Sequence, residues 1–300
     1  MTTSKSPVAI AGVALRAAVG AVPLYHHRLS PKKYAQPQLI ACLVLKEFFR
    51  TDYRGIHAIL ADSVELRHAL RLRAVPHYTT LQKASRELLK RRNVHRLMEK
   101  ILAMATADKL MQPSVKVAAM DGTSFESHHV SRYFAMRRRT MRDPLERTEY
   151  TRFPKLGVVC DTANHLVLAG IPEQGPQFDR THYVPGMRDA LKQKKIHTLL
   201  ADAVYDSEKH HLIAREHGIR AVIPPKMGRR TEKLPTTPLR RQMAVHFPTK
   251  TYHKRAQVET VMSMLKRNFD SFMRARSFQS RCRELLLRVF THNVAIVLPA

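Results

Sequence analysis

Residues Lys155 to Ile171 read KLGVVCDTANHLVLAGI. Two apolar runs flank DTAN, four residues of the kind that turn a chain, so the stretch predicts two strands joined by a turn around Asp161 to Asn164. Upstream, VKVAAMD (Val115 to Asp121) reads as a further strand that ends at Asp121. Downstream, a helical stretch runs from about Thr181 to Lys192, and IHTLLAD forms a strand ending at Asp202. SEKHHLIAREHG then predicts a helix closed by Gly218 in the C-cap position, and IRAVIP a short strand. The segment from Met227 to Pro248 is rich in Thr, Pro and basic residues and reads as a loop, followed by a last helical region. The order is strand, strand, strand, helix, strand, helix, strand, helix, which specifies a mixed α/β sheet domain.

The chain before this domain has a different texture. From Pro37 to about Ala107 the apolar spacing is helical throughout. An amphipathic helix follows Pro37, DYRGIHAILAD and VELRHALRL give shorter ones, and a long helix starts after Pro76 with Thr79 or Thr80 as N-cap. Lys83, Arg86 and Lys90 share one face of it at i, i+3, i+7. That face suits a helix-turn-helix-like DNA-binding unit, and equally the solvated side of a plain bundle. MQPS (Met111 to Ser114) separates the two textures. The expected division is residues 1–110, a helical DNA-binding domain, and 111–300, a sheet domain.

Composition narrows the partner. The chain has 300 residues with 52 Lys+Arg against 24 Asp+Glu, a formal charge of +28. Such an excess on a globular chain points to a polyanion, because each neutralised phosphate releases condensed counterions. Cys42, Cys160 and Cys282 are scattered and lack metal-binding spacing, which fits a reducing compartment and argues against both a disulfide framework and a Cys-based zinc site. The apolar run Val8 to Val22 is interrupted by Arg16 and is too short to span a membrane. The expectation is a soluble, cytoplasmic, nucleoid-associated protein. The pairs His26–His27, His128–His129 and His210–His211 lack a third ligand at zinc spacing. SRYFAMRRRTMR (Ser131 to Arg142), with Arg137, Arg138 and Arg139 beside Tyr133 and Phe134, has the makeup of a contact that tracks a DNA backbone. Arg274 to Arg276 and the basic residues from Arg281 to Arg288 are expected along the same channel.

Three carboxylates stand out. If the strands ending in Asp121 and Asp202 are neighbours, both acids emerge at the same sheet end, where open α/β sheets keep their sites. Glu259 lies in KRAQVETVMSMLKRNF (Lys254 to Phe269). At about 100° per residue, Tyr252, Arg255 and Lys266 project close to it, beside an apolar stripe of Val258, Val261, Met262, Leu265 and Phe269. Two strand-end aspartates and a helical glutamate can hold two divalent cations for phosphodiester chemistry. Asp161, in a turn, and Asp179, as a helix N-cap, are set aside.

Tyr252, Arg255, Glu259 and Lys266 match Y-x2-R-x3-E-x6-K, and with DGTSFESHHVSRYF at Asp121 and ADAVYDSE at Asp202 the chain resembles the DDE transposases of bacterial insertion sequences. The resemblance extends to the N-terminal helices and implies a ribonuclease-H-like core. It implies Asp121, Asp202 and Glu259 as ligands of Mg²⁺, with Mn²⁺ as substitute. Tyr252, Arg255 and Lys266 would contact DNA phosphates. The implied activity is cleavage at transposon ends and strand transfer into target DNA, on double-stranded DNA with terminal inverted repeats, by a homodimer. A ribonuclease-H-like nuclease without strand transfer, or an inactive transposase-derived DNA-binding protein, would carry the same residues. No β-rich insertion fits between Asp202 and Glu259, and the absence of Trp leaves Tyr, Phe or Met to stack on any flipped base.

Overall fold

The computed structural model describes residues 4–29, 31–127, 153–175, 179–226 and 234–298. Helices α1 (Pro7–Ala18), α2 (Gln36–Phe48), α3 (Tyr53–Asp62), α4 (Val64–Ala69), α5 (Tyr78–Leu88) and α6 (Arg91–Ala107) come first. The Val8 to Val22 run is thus a packed helix: Ser6 caps its N-terminus, and Ile10, Val13, Ala14 and Ala17 are buried. Its small residues let α2 approach closely.

The single long helix expected after Pro76 is instead two, broken at Leu89 and Lys90, with His77 in the cap position. Lys90 is extended (φ −72°, ψ 146°). No Gly or Pro marks the break. Its cause is tertiary: the stripe of α5 faces α2 and α3, whereas that of α6 faces the last helix of the chain.

The sheet has five strands: β1 (Ser114–Ser124), β2 (Pro154–Asp161), β3 (Val167–Gln174), β4 (Lys195–Leu200) and β5 (Arg220–Val222), in the order β3-β2-β1-β4-β5. β1, β2 and β3 are antiparallel neighbours, and β4 and β5 continue parallel to β1. This is the mixed, ribonuclease-H-like arrangement that the strand and helix order implied. β2 is buried along its whole length, as expected of a strand with sheet on both sides. Helix α7 (Tyr183–Gln193) covers one face and α8 (Glu208–Glu216) packs on β5.

The Met227 to Pro248 segment was expected as loop, yet Pro238–Val245 is a helix, α9, with Pro at its first turn. Next come the short α10 (Thr249–Tyr252), one 3₁₀ turn over His253–Arg255, α11 (Ala256–Phe269) and α12 (Phe278–Val297). α11 and α12 pack on the face opposite α7. α12 lies between the two halves of the chain, touching α1, α2, α5 and α6 on one side and β2 and β3 on the other. Arg288, Thr291, His292 and Asn293 on it are fully buried. Asn293 completes the start of the edge strand β3 as a strand partner would. It accepts from the Val167 amide (2.9 Å) and donates to the Val167 carbonyl (2.8 Å). Among the described residues no helix is long and apolar enough to cross a membrane.

Candidate active site

The parallel register of β1 and β4 pairs Ala118 with Leu199 and Ala119 with Leu200. Two residues further along each strand stand Asp121 and Asp202, so the register carries them to the same level at the same sheet end. Asp121 is still in β1, opposite Val158 of β2, and Asp202 heads the 3₁₀ turn Ala203–Tyr205. Because side chains alternate along a strand, Asp121 points to the α11 face and Gly122 to the α7 face.

Arg255 joins the first acid to the third. Its Nη1 donates to Asp121 Oδ2 at 3.0 Å, and its Nη2 to Glu259 Oε1 at 2.6 Å. The i, i+4 pair expected from the sequence is therefore present and has a second partner. Asp121 also accepts from the Gly122 amide at 2.8 Å. Burial raises the Asp121 carboxyl above the usual carboxylate range, the Asp202 charge adds to this, and Gly122 and Arg255 offset only part. Burial works against the Arg255 charge, but Tyr252, Asp121, Glu259 and Asp202 outweigh it and hold its pKa above the ordinary value. Tyr252 stacks near the guanidinium, 6.0 Å from ring centre to Cζ, and Phe247 meets it edge-on. Burial, followed by the Asp202 and Asp121 charges, raises the Tyr252 pKa.

Helix α11 presents Glu259 outward, its side chain 56% exposed, because Val258, Val261, Met262, Leu265 and Phe269 are all buried against β1 and β2. Lys266 shares a surface groove with Glu259, Ser263 and Arg50, and its ammonium lies 5.7 Å from the Phe125 ring. Arg50 belongs to the turn after α2 and donates to the carbonyls of Arg267 and Asn268, the orphaned acceptors at the end of α11. At the other end, His165 of the β2–β3 turn meets Gln257 at 2.5 Å. The helix that carries Glu259 is thus fixed at both termini by other parts of the chain.

Two acids following Asp202 have structural duties that the spacing did not reveal. Asp206, its side chain fully buried, accepts from Arg240 through Nε and Nη2, the latter at 2.6 Å, and from the Lys226 amide at 2.7 Å. Glu208 accepts from the Leu239 and Arg240 amides at 3.0 and 3.1 Å and so caps α9. Together they tie the segment after β4 to the one leading toward Glu259. Asp179 begins a 3₁₀ turn and pairs with Lys155 at 2.5 Å. Asp161 accepts from Ala163 and Asn164 within its turn.

Lys83 and Arg86 are exposed on α5. Arg137, Arg138 and Arg139, with Tyr133 and Phe134, lie outside the described residues. Arg288 does not line a channel. It is fully buried, donates to the Asp270 and Phe272 carbonyls and to Glu284 (2.8 Å), and lies 3.5 Å from Glu47, which itself pairs with Lys46. Arg281 is buried too and donates to the Ala275 carbonyl. The helical period of α12 puts both on its inner side, which a count of basic residues cannot reveal.

Asp121, Asp202 and Glu259 offer only carboxylate oxygens, the donor set that suits Mg²⁺ or Mn²⁺. Among the described residues no three His, Cys, Asp or Glu side chains stand close enough to share an ion as placed. In this arrangement the Arg255 guanidinium spans Asp121 and Glu259 and supplies the positive charge between them. The donor chemistry of the three acids fits a divalent cation.

Residues 113–294 match the family model described as the transposase DDE domain. No curated protein matches the sequence. Among solved structures the chain is similar to one titled "Crystal structure of a pre-cleavage Mos1 transpososome", at 14% identity and a TM-score of 0.24, over 92% of this chain and 82% of that one.

Proposed function

The chain belongs to the transposase DDE domain family, whose model spans well over half of it, and on that premise we propose that it cuts DNA at the ends of a mobile element and joins the freed 3′-hydroxyl to target DNA. The observation that carries this reading is the single guanidinium of Arg255, which gathers Asp121 and Glu259 at the sheet end where Asp202 also emerges. Asp121, Asp202 and Glu259 would hold Mg²⁺, with Mn²⁺ able to replace it. Bound there, the metal would activate the attacking oxygen and stabilise the leaving one in an in-line displacement.

The chain's own residues do the rest. Arg255 leaves the carboxylates for a phosphate oxygen, for which its planar fork is well matched. Lys266, in the groove beside Glu259, holds a neighbouring phosphate as a point charge. Tyr252 sets the orientation of Arg255 by stacking. Lys83 and Arg86 on the helical region and Arg137, Arg138 and Arg139 would extend the contact along the duplex. In this reading residues 1–110 bind the terminal repeats, residues 111–300 perform the chemistry, and two copies pair two DNA ends.

The test needs no knowledge of the terminal repeats. Purified protein is incubated with supercoiled plasmid and Mg²⁺ or Mn²⁺, beside Asp121→Asn, Asp202→Asn and Glu259→Gln. Nicking is expected from the wild type and a loss of ~10²-fold or more in each variant, since the ion supplies several kcal/mol of charge stabilisation. Strand-joined products separate a transposase from a plain nuclease. Equal plasmid binding by wild type and variants without any nicking would overturn the catalytic reading in favour of a DNA-binding relic.

A further inference from the structure

On the face of the sheet opposite Asp121, two glycines form a notch. Gly122 of β1 and Gly157 of β2 are register partners. A Cβ on Gly157 would lie 2.5 Å from His182 Cδ2, and one on Gly122 would lie 2.3 Å from Asp179 Oδ1 and 3.0 Å from His182 Cε1. The notch exists because the imidazole of His182 fills it, 1% exposed. Glycine within a strand costs backbone entropy and packing, so the sheet carries a penalty at both positions to seat this ring directly behind the first acid.

The ring is held at both nitrogens. Nδ1 lies 2.9 Å from Glu173 Oε2, near the end of β3, and Nε2 lies 2.6 Å from the Tyr205 hydroxyl. With Glu173 accepting at Nδ1, a neutral imidazole accepts at Nε2 from the Tyr205 hydroxyl. Tyr205 is itself fully buried and closes the 3₁₀ turn, its amide donating to the Asp202 carbonyl at 2.9 Å. One chain of hydrogen bonds therefore runs from β3, through the notch in β1 and β2, to the turn that bears Asp202.

We propose that Glu173, His182 and Tyr205 act as a positioning chain for the second acid: His182, oriented by Glu173, fixes the Tyr205 hydroxyl and so locks the Asp202–Tyr205 turn with its carboxylate level with Asp121. None of the three residues touches substrate, and the inference rests on the reading of Asp202 as a metal ligand. Apolar side chains would fill this interior with fewer groups to satisfy, so a fully bonded polar chain here specifies one geometry. Partners that orient metal ligands change affinity 10–100-fold when removed, although they never meet the ion.

The experiment is a Mn²⁺ titration of the full chain, followed by electron paramagnetic resonance of the free ion, for wild type, Tyr205→Phe, His182→Gln and the double variant. Tyr205→Phe keeps the ring and its packing and removes only the hydroxyl, so it decides the matter even if His182→Gln fails to fold. The expected result is Mn²⁺ binding weakened about tenfold or more by Tyr205→Phe at unchanged plasmid affinity in EDTA. The double variant is expected to be no weaker than the worse single one, because the residues act in series. Wild-type Mn²⁺ affinity in Tyr205→Phe, or additive losses in the double variant, would overturn the chain. Wild type that binds no more Mn²⁺ than Asp202→Asn would overturn the metal-site reading and the inference together, a pattern distinct from binding that Tyr205→Phe leaves intact.

Discussion

Arg255 shows what a local pattern tells and what it omits. The Arg, Glu and Lys spacing around Glu259 is legible because helical residues four and seven apart share a side, and the Arg255–Glu259 pair follows from that alone, whereas Tyr252 ends α10 across the 3₁₀ turn His253–Arg255. The second partner, Asp121, lies 134 positions away in sequence and could be found only once the strands were placed. With one guanidinium on two carboxylates, an arriving cation must displace it. Arg255→Ala is therefore expected to tighten Mn²⁺ binding in the absence of DNA while weakening plasmid binding. By linkage, the enhancement of Mn²⁺ affinity by added duplex should shrink in the variant; titrations with and without DNA would read both. His292 offers a separate test. Fully buried and donating to the His165 carbonyl at 3.0 Å, it has its pKa pushed down to about 4 by burial. An unfolded His titrates near ~6.5, so between these values the unfolded chain binds more protons. This contribution to stability is complete above the unfolded value and declines as pH falls toward the folded one, by about 3 kcal/mol. Urea melts from pH 7 to 4 should show that slope flattened in His292→Gln.

Among elements, those with a two-residue or helical period and clear punctuation were readable. β2 and β3 around their turn and α8 ended by Gly218 fall where the pattern put them, whereas β1, expected to end at Asp121, runs on to Ser124, and β4, expected to end at Asp202, stops at Leu200. The break between α5 and α6 was not readable, because no residue there disfavours helix and only their different packing partners separate them. α9 hid in a basic, Pro-containing stretch, since Asp206 and Glu208 stabilise it from outside. The Gly122–Gly157 pairing was equally silent, as register is not visible in either strand alone. It predicts that Gly157→Ala, which drives a methyl into the His182 ring, destabilises by about 1–3 kcal/mol through overpacking. A thermal melt should register several degrees, and the Arg255 side of the sheet should be unaffected in spectroscopic probes placed there.

Across the whole molecule, the surplus of 52 Lys+Arg over 24 Asp+Glu finds its partner, in the proposed function, in DNA. If the basic surface makes six or more phosphate contacts, affinity for non-cognate duplex should fall by ~10³-fold between 50 and 200 mM salt. A much shallower slope would indicate that few of the exposed cations meet phosphate. The two textures seen in the sequence are real, but the structure does not leave them as separate bodies. Arg50 of the helical half ends α11 of the other, and α12 buries the stripe of α6 together with β3. Lys46, Glu47, Glu284 and Arg288 form an ion network between α2 and α12, and removing one member of such a network costs about 3–5 kcal/mol. A fragment of residues 1–110 should accordingly lack a cooperative unfolding transition.

The place of α12 also bears on how the protein comes into being. A ribosome adding ~5–20 residues per second needs roughly 10–40 s to travel from the end of α6 to the end of α12. Throughout that interval α1 to α6 have been synthesised without the helix that covers α6. If residues 1–110 recognise transposon ends as proposed, that portion would mature only with the portion proposed to cut them, and half-made chains would not occupy those ends as idle competitors.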